Sequence, residues 1–584
     1  MFRRLTTLLL LQVALGALPA WVSAQQAEPA GGAKPDSAEV ALSEQGPALK
    51  RSDLEFLAYA GKRVRRIWVS NLDVFGPSLD DTTRVTESWL ARFLNHLNFQ
   101  TRETTIRQFL LVREGDTIDP FRLAESERLL QNLGFIGDAR IVVVPLPGSG
   151  DSADVRVIVK EDWTLRLSGL KGGKHPEATL TERNLLGLGH RVSVAGALNP
   201  DATPRVGFHT SYSVPNIRGS FVAGTLAYEK MPDNETADLA LSRDLISPVL
   251  KYAGGLDLTW ASIVVADSLS SEADNTSELV DLWAGRLVHQ WRSQKEPGRR
   301  RILFIAGRVR HLNFTKRPPV TLSSEHPYNN TDHLLGSLTY IQSWYYRTNL
   351  LYNFGRTEHI PYGLLARVTY GLADEEFTRS DYCSATLAVG DKIDNLGHAA
   401  GEVRIGGYPG SGTIKQGVIR LRTRYFSNLL HAGGFRFRQF VKAEYTTGFH
   451  RVADNSIDFD GDETIRGVVY DGSVTGSKRL HLGLETVAFT PWRVWGITLA
   501  FFTFADLDFI GSGRRSLLEQ NPYSGLGSGV RLHTDGFGIG SVQLRFAWYP
   551  RLPVDHETYA LTAFAEKRFG SIELLGIQPE IVEY

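Results

Sequence analysis

Val542-Gln543-Leu544-Arg545-Phe546-Ala547-Trp548 alternates with a period of two: Val542, Leu544, Phe546 and Trp548 against Gln543, Arg545 and Ala547. Successive side chains of an extended strand point to opposite faces, so one face here is aliphatic and aromatic while the other carries charge. The pattern recurs upstream. Phe435, Phe437, Val441 and Tyr445 alternate with Arg436, Arg438, Lys442 and Glu444, and Leu421 and Tyr425 alternate with Arg420, Arg422 and Arg424. A soluble sandwich also alternates, but it does not repeatedly set apolar residues outward against arginine and lysine. A wall with lipid outside and a polar lumen inside does. The pattern runs from Trp163 onward, and roughly 400 residues at about ten per strand, plus turns and outer loops, give about sixteen strands. The expected fold is mainly β: a transmembrane antiparallel β-barrel over 163–570, preceded by one small α+β domain.

Composition narrows the function. Lys plus Arg equals Asp plus Glu at 64 each, so no overall field draws the chain to nucleic acid. Cys383 is the single cysteine, which excludes an internal disulfide and a cysteine zinc site. No Gly-x-Ser-x-Gly elbow, His-Glu-x-x-His or P-loop occurs. Scattered histidines such as His209, His311 and His333 read as loop or lumen residues. No catalytic residue, metal or cofactor is expected.

The segment 1–24 reads as a signal peptide. Arg3 and Arg4 precede an apolar run, and Val22-Ser23-Ala24 offers the small residues of a cleavage site. Residues 25–62 read as a flexible linker with a short helix at Leu54 to Ala60. A compact α+β unit follows over 63–162. Val64 to Val69 alternates as a strand, Thr101 to Leu111 and Asp119 to Leu133 have helical spacing, and Ala139 to Leu146 and Ala153 to Val159 read as strands. Asp119-Pro120 supplies an N-cap and first helical residue, and Gly134 a stop.

This unit resembles a POTRA (polypeptide-transport-associated) domain in Thr105-Ile106-Arg107-Gln108, Arg113-Glu114-Gly115-Asp116, Glu125 to Leu130 and Gly134-Phe135-Ile136. It departs from that pattern in the length of Ser78 to Gln100. Four further stretches resemble the BamA/TamA-like outer-membrane assembly and transport superfamily. Glu182 to His190 is similar to its N-L-x-G-x-G periplasmic turn, through Asn184, Gly187 and Gly189, and Val214-Pro215-Asn216 to the turn that follows. Ile465-Arg466-Gly467-Val468 is similar to its V-R-G-F/Y loop, and Phe504-Ala505-Asp506 to its F-x-D strand. Val468 stands where relatives carry an aromatic, and a tail, 571–584, extends beyond the last strand, leaving Phe569 or Tyr584 as the terminal aromatic.

The resemblance implies a loop folded into the lumen, with Arg466 meeting Asp506 and Glu485. Strand parity independently allows this, because Phe504 and Asp506 face away from Ile497, Leu499 and Phe501, and Glu485 faces away from Leu482 and Leu484. The alternative is a solvated Arg466 and a generic lumen carboxylate. The resemblance further implies an outer-membrane protein with its α+β domain in the periplasm, inserting or translocating polypeptides without an energy cofactor. Capture at a sheet edge and a seam between the first and last strands would do this work. Its partners would be extended outer-membrane or secreted polypeptides, outer-membrane lipid and periplasmic accessory proteins. Two other readings stay open: a dedicated secretion pore for one exported protein, and a passive channel.

Overall fold

The computed structural model describes residues 50–584, apart from 52, 80, 84–88, 149, 172–176, 201–204, 232–233, 246, 248–249, 266–272, 293–299, 323–327, 352–356, 411, 452–456, 458–463, 469–473, 495–496, 514–515, 535–540, 553–556, 566–571, 573 and 583. The expected signal peptide, most of the linker, and Phe569 lie outside the described residues.

The N-terminal unit is a three-stranded sheet. Ser152–Glu161 is central, parallel to Arg63–Leu72 and antiparallel to Ile136–Pro145. The alternating valines of the central strand, Val155, Val157 and Val159, are fully buried beneath Leu123 and Leu130 of the helix Pro120–Gln131. Asp119 caps that helix by accepting the Phe121 N–H at 3.0 Å, with Pro120 opening it.

Two local expectations need correction. The helix expected over Thr101 to Leu111 is only Glu103–Arg107. Thr101 is held outside it by Glu161, to which its N–H and hydroxyl donate at 2.8 and 3.0 Å. Beyond Arg107 the chain tightens, with the Phe109 and Leu110 N–H groups bonding the carbonyls three residues back. The long stretch from Ser78 to Gln100 contains an unanticipated helix, Trp89–Leu97.

From Leu165–Lys171 to Tyr559–Ala565, consecutive strands pair antiparallel and the last adjoins the first, closing the sheet. Closure leaves no open edge to meet lipid. Among the described residues this sheet has 22 strands. Two are short pieces: Lys50–Arg51 beside Thr331–Thr348, and Leu430–Ala432, which faces the same partner as the strand before it. Taking these two from 22 leaves 20 in the wall, more than the sixteen expected. The estimate assumed longer outer loops than the chain has. Glu358–Glu375 and Thr378–Ile393, for instance, are joined through Glu376 and Phe377 alone.

Leu282, Val368, Leu387, Leu544, Phe546 and Trp548 are exposed on the outside of the wall, while Arg367, Arg438, Lys442, Arg531 and Arg545 are buried inside. Among the described residues no helix is long and apolar enough to cross a membrane. The crossing is made by strands. Beyond Ala565 the described part of the 571–584 tail returns into the lumen, where Ile572, Leu574 and Ile577 pack against Trp283, Phe304 and Leu365.

Candidate functional site

The loop between Phe435–Phe449 and Lys478–Val494 carries Ile465, Arg466 and Gly467 into the lumen. Ile465 is its apolar anchor, buried among Phe502, Phe504 and Tyr549. It fits because the wall offers glycine opposite: a Cβ on Gly525 would fall 2.6 Å from the Ile465 Cγ2. Gly467 turns the chain with φ +91°, and an added Cβ there would meet the Tyr549 hydroxyl and the Arg545 guanidinium.

That turn aims Arg466. Its Nε and Nη2 donate to the two oxygens of Asp506 at 2.9 and 3.0 Å, its backbone N–H to Asp506 Oδ2 at 3.2 Å, and its Nη1 to Glu485. Nη2 also reaches the Leu484 carbonyl at 3.3 Å, and the guanidinium lies 4.3 Å over the Phe504 ring. Asp506 is 0% exposed. A planar fork held on two carboxylates and stacked on an aromatic uses nearly all that arginine offers and lysine does not. The structure therefore brings Arg466, Gly467, Glu485, Phe504 and Asp506 together.

Residues not anticipated complete the cluster. The Tyr549 hydroxyl donates to the Arg466 carbonyl at 2.9 Å, and Arg531 donates to Glu485 at 2.7 Å while lying 4.7 Å over Phe502. The available signal was the alternation Gly525, Gly527, Gly529, Arg531. Side chains at Gly527 and Gly529 would collide with Phe504 and Phe502, so this face of the strand is a bed for the two rings. Among the described residues no group of His, Cys, Asp and Glu is placed to hold a metal ion.

Asn184, Gly187 and Gly189 lie elsewhere, where the wall meets the N-terminal unit. Asn184 is fully buried. It donates to the Phe99 carbonyl at 2.8 Å and to the Thr101 hydroxyl at 3.0 Å, and accepts the Gly189 N–H at 2.8 Å. Gly187 has φ +76°, and its carbonyl accepts the Arg102 N–H at 2.9 Å. A Cβ on it would sit against the Gln100 carbonyl oxygen. Asn216 makes a second joint, donating to the Gln108 carbonyl at 2.9 Å.

A third joint lies further around the rim. Arg347 pairs with Glu127 at 2.6 Å, Arg128 lies 4.3 Å over Tyr345, and His359 bonds Gln131. Burial pushes the Glu127 carboxyl up to about 7 against the pull of Arg347. Glu161, behind the first joint, is likewise raised to about 7 by burial, although Thr101 and Asn71 donate to it.

A closed antiparallel barrel with an apolar exterior, a charged lumen and a small α+β unit fastened to one mouth defines a class of outer-membrane β-barrel proteins. In sequence, the chain is 34% identical over 100 residues to the outer membrane protein assembly factor BamA of Neorickettsia risticii (strain Illinois). That match covers 17% of this chain and 14% of the relative's length. The match is a likeness over a short stretch of each chain. Among solved structures, similarity extends to BamA from Haemophilus ducreyi lacking POTRA domains 1–3 (13% identity, 86% of this chain and 85% of that one, TM-score 0.33). It also extends to CdiB from Acinetobacter baumannii (11% identity, 86% and 73%, TM-score 0.39). No family model matches the chain.

Proposed function

We propose that this barrel assembles or translocates outer-membrane or secreted polypeptides, with the N-terminal unit acting as a single POTRA domain. The observation that carries the reading is the joint. An α+β unit is fastened to one mouth of a closed barrel through Asn184, Asn216 and Glu127, so whatever it holds is delivered to the rim. Among the described residues its outer strand Ile136–Pro145 has one sheet neighbour, and Val142 and Val144 are exposed on it. An extended client can pair with such an edge. In this reading Arg466 pins the lumen loop, and the junction of Leu165–Lys171 with Tyr559–Ala565 is the seam where client strands leave for lipid. No nucleotide is needed, because a client gains backbone pairing and apolar burial as it inserts.

Depletion followed by quantitative proteomics of outer membrane and medium tests this. A joint fall in many barrel proteins supports general insertion, and loss of one surface or secreted protein supports dedicated export. Unchanged proteomes with lowered small-solute permeability would overturn the reading in favour of a passive channel.

A further inference from the structure

The tail climbs the lumen through a row of inward-facing residues on neighbouring strands. Arg367, Thr386 and Arg404 are direct register partners across three strands. Arg367 and Arg404 both hold the Glu580 carboxylate, to which Thr386 also donates at 3.1 Å. The tail backbone is gripped as well. Arg308 donates to the Pro579 carbonyl at 2.8 Å, Arg367 to the Gln578 carbonyl at 3.0 Å, and Ser384 to the Glu580 carbonyl at 3.0 Å. The Val582 N–H donates to the Tyr382 hydroxyl at 2.7 Å. Glycines make room above: a Cβ on Gly406 would lie 2.9 Å from the Val582 Cβ, and one on Gly448 would strike the Tyr584 ring. Arg451 closes over Tyr584 at 4.3 Å. Beside this path a cavity of about 450 Å³ is lined by Arg308, Arg367, Arg404 and, from the N-terminal unit, Arg128.

We propose that this arginine row is a peptide-binding site for an extended segment carrying a carboxylate, and that residues 574–582 and Tyr584 are its resident, releasable occupant. Backbone carbonyls, one carboxylate and two glycine-backed hollows are all read, which is how a site selects an extended chain over a free anion.

The test uses the full chain with Cys383→Ser and Ile577→Cys, with Glu580→Arg or the milder Glu580→Gln added, and heat-modifiable gel mobility confirming a folded barrel. With the rest of the tail unaltered, the thiol introduced by Ile577→Cys is unreactive to a maleimide. Glu580→Arg exposes that thiol and lets the chain bind a fluorescent synthetic peptide of residues 571–584. A peptide with Gln in place of Glu580 binds about tenfold or more weakly, as expected for loss of a charge-assisted bond. Three results would each overturn the proposal: a thiol equally unreactive in every variant, a released tail with no peptide binding, or equal binding of both peptides.

A second feature stands independently. The helix Trp89–Leu97 is turned inside out. Asn95 ties its polar side to the unit, exchanging bonds of 3.0 Å with the Phe75 backbone. Trp89, Phe93 and Leu97 share a stripe at a spacing of four and are 73, 53 and 56% exposed. The helix lies at the foot of the wall: the Thr164 hydroxyl donates to Asn98 at 3.2 Å, and Leu165 and Leu167 continue outward exposed.

We infer that this stripe rests in the membrane interface as a continuation of the lipid-facing wall. Spin labels at Phe93→Cys and Arg92→Cys, in the Cys383→Ser full chain in phosphatidylcholine vesicles, decide it. A severalfold higher oxygen-to-nickel accessibility ratio at 93 than at 92 is expected. Equal, water-like ratios at both positions would overturn it.

Discussion

Replacing Arg466 with alanine removes two side-chain bonds to Asp506, one to Glu485, one to the Leu484 carbonyl, and the stack on Phe504, and keeps only the backbone N–H bond to Asp506. Glu485 keeps Arg531 at 2.7 Å, so the carboxylate that loses most is Asp506, buried and left with a single backbone donor from the loop. Stripping one partner from a buried pair costs about 3–5 kcal/mol, and a lumen that admits water returns part of that, leaving about 3 kcal/mol. If that energy holds the loop, the released population rises on the order of 10²-fold. The readout is hydrogen exchange across Ile465–Val468 in the full chain. It should accelerate about a hundredfold while the Ile497–Gly511 strand keeps its protection. Adding Asp506→Asn should recover part of the loss, because the residue left behind is no longer charged. Exchange within about threefold of the parent would refute the reasoning, since so small a change is well under 1 kcal/mol. So would a barrel that fails to close, which would make the pair a requirement of the wall instead of the loop.

Tyr549→Phe deletes one hydroxyl bond to the Arg466 carbonyl and should speed the same exchange by about fivefold, on the order of 1 kcal/mol. Gly187→Ala forces a side chain onto the Gln100 carbonyl at φ +76° and should loosen the first joint, read as faster exchange at Arg102 with the wall unaffected. Glu161 gives a signed pH dependence. Between 4.5 and about 7 the native carboxyl keeps a proton the unfolded chain has released, so its stabilising contribution is full below 4.5 and is lost by about 7. The total is on the order of 3 kcal/mol, read as Thr101 amide protection corrected for intrinsic exchange, and Glu161→Gln should flatten it.

Alternation carried most of the fold, because lipid outside and water inside impose opposite demands on neighbouring residues of every strand. Parity placed Phe504, Asp506 and Glu485 inward for the same reason, and Asp119-Pro120 opened its helix as its chemistry requires. Register stayed hidden. Nothing local to Arg367, Thr386 or Arg404 says they share a row, since that depends on how three strands slide against one another. The strand number was missed because turn lengths carry weak signals. The helix Trp89–Leu97 runs for nine residues, too short for helical periodicity to stand out.

The third joint lies far from the first two, which occupy successive turns of the same mouth. Asn184 sits at the turn between the second and third strands of the wall, whereas Arg347 and His359 flank the turn between the tenth and eleventh. In a ring of twenty these lie almost on opposite sides, so the α+β unit is a strut braced across the hoop. A hoop that parts at its join tends to change its width, and a strut resists that change. Any ligand that slackens one joint should ease the parting by the same free energy, and parting should slacken the joint in return.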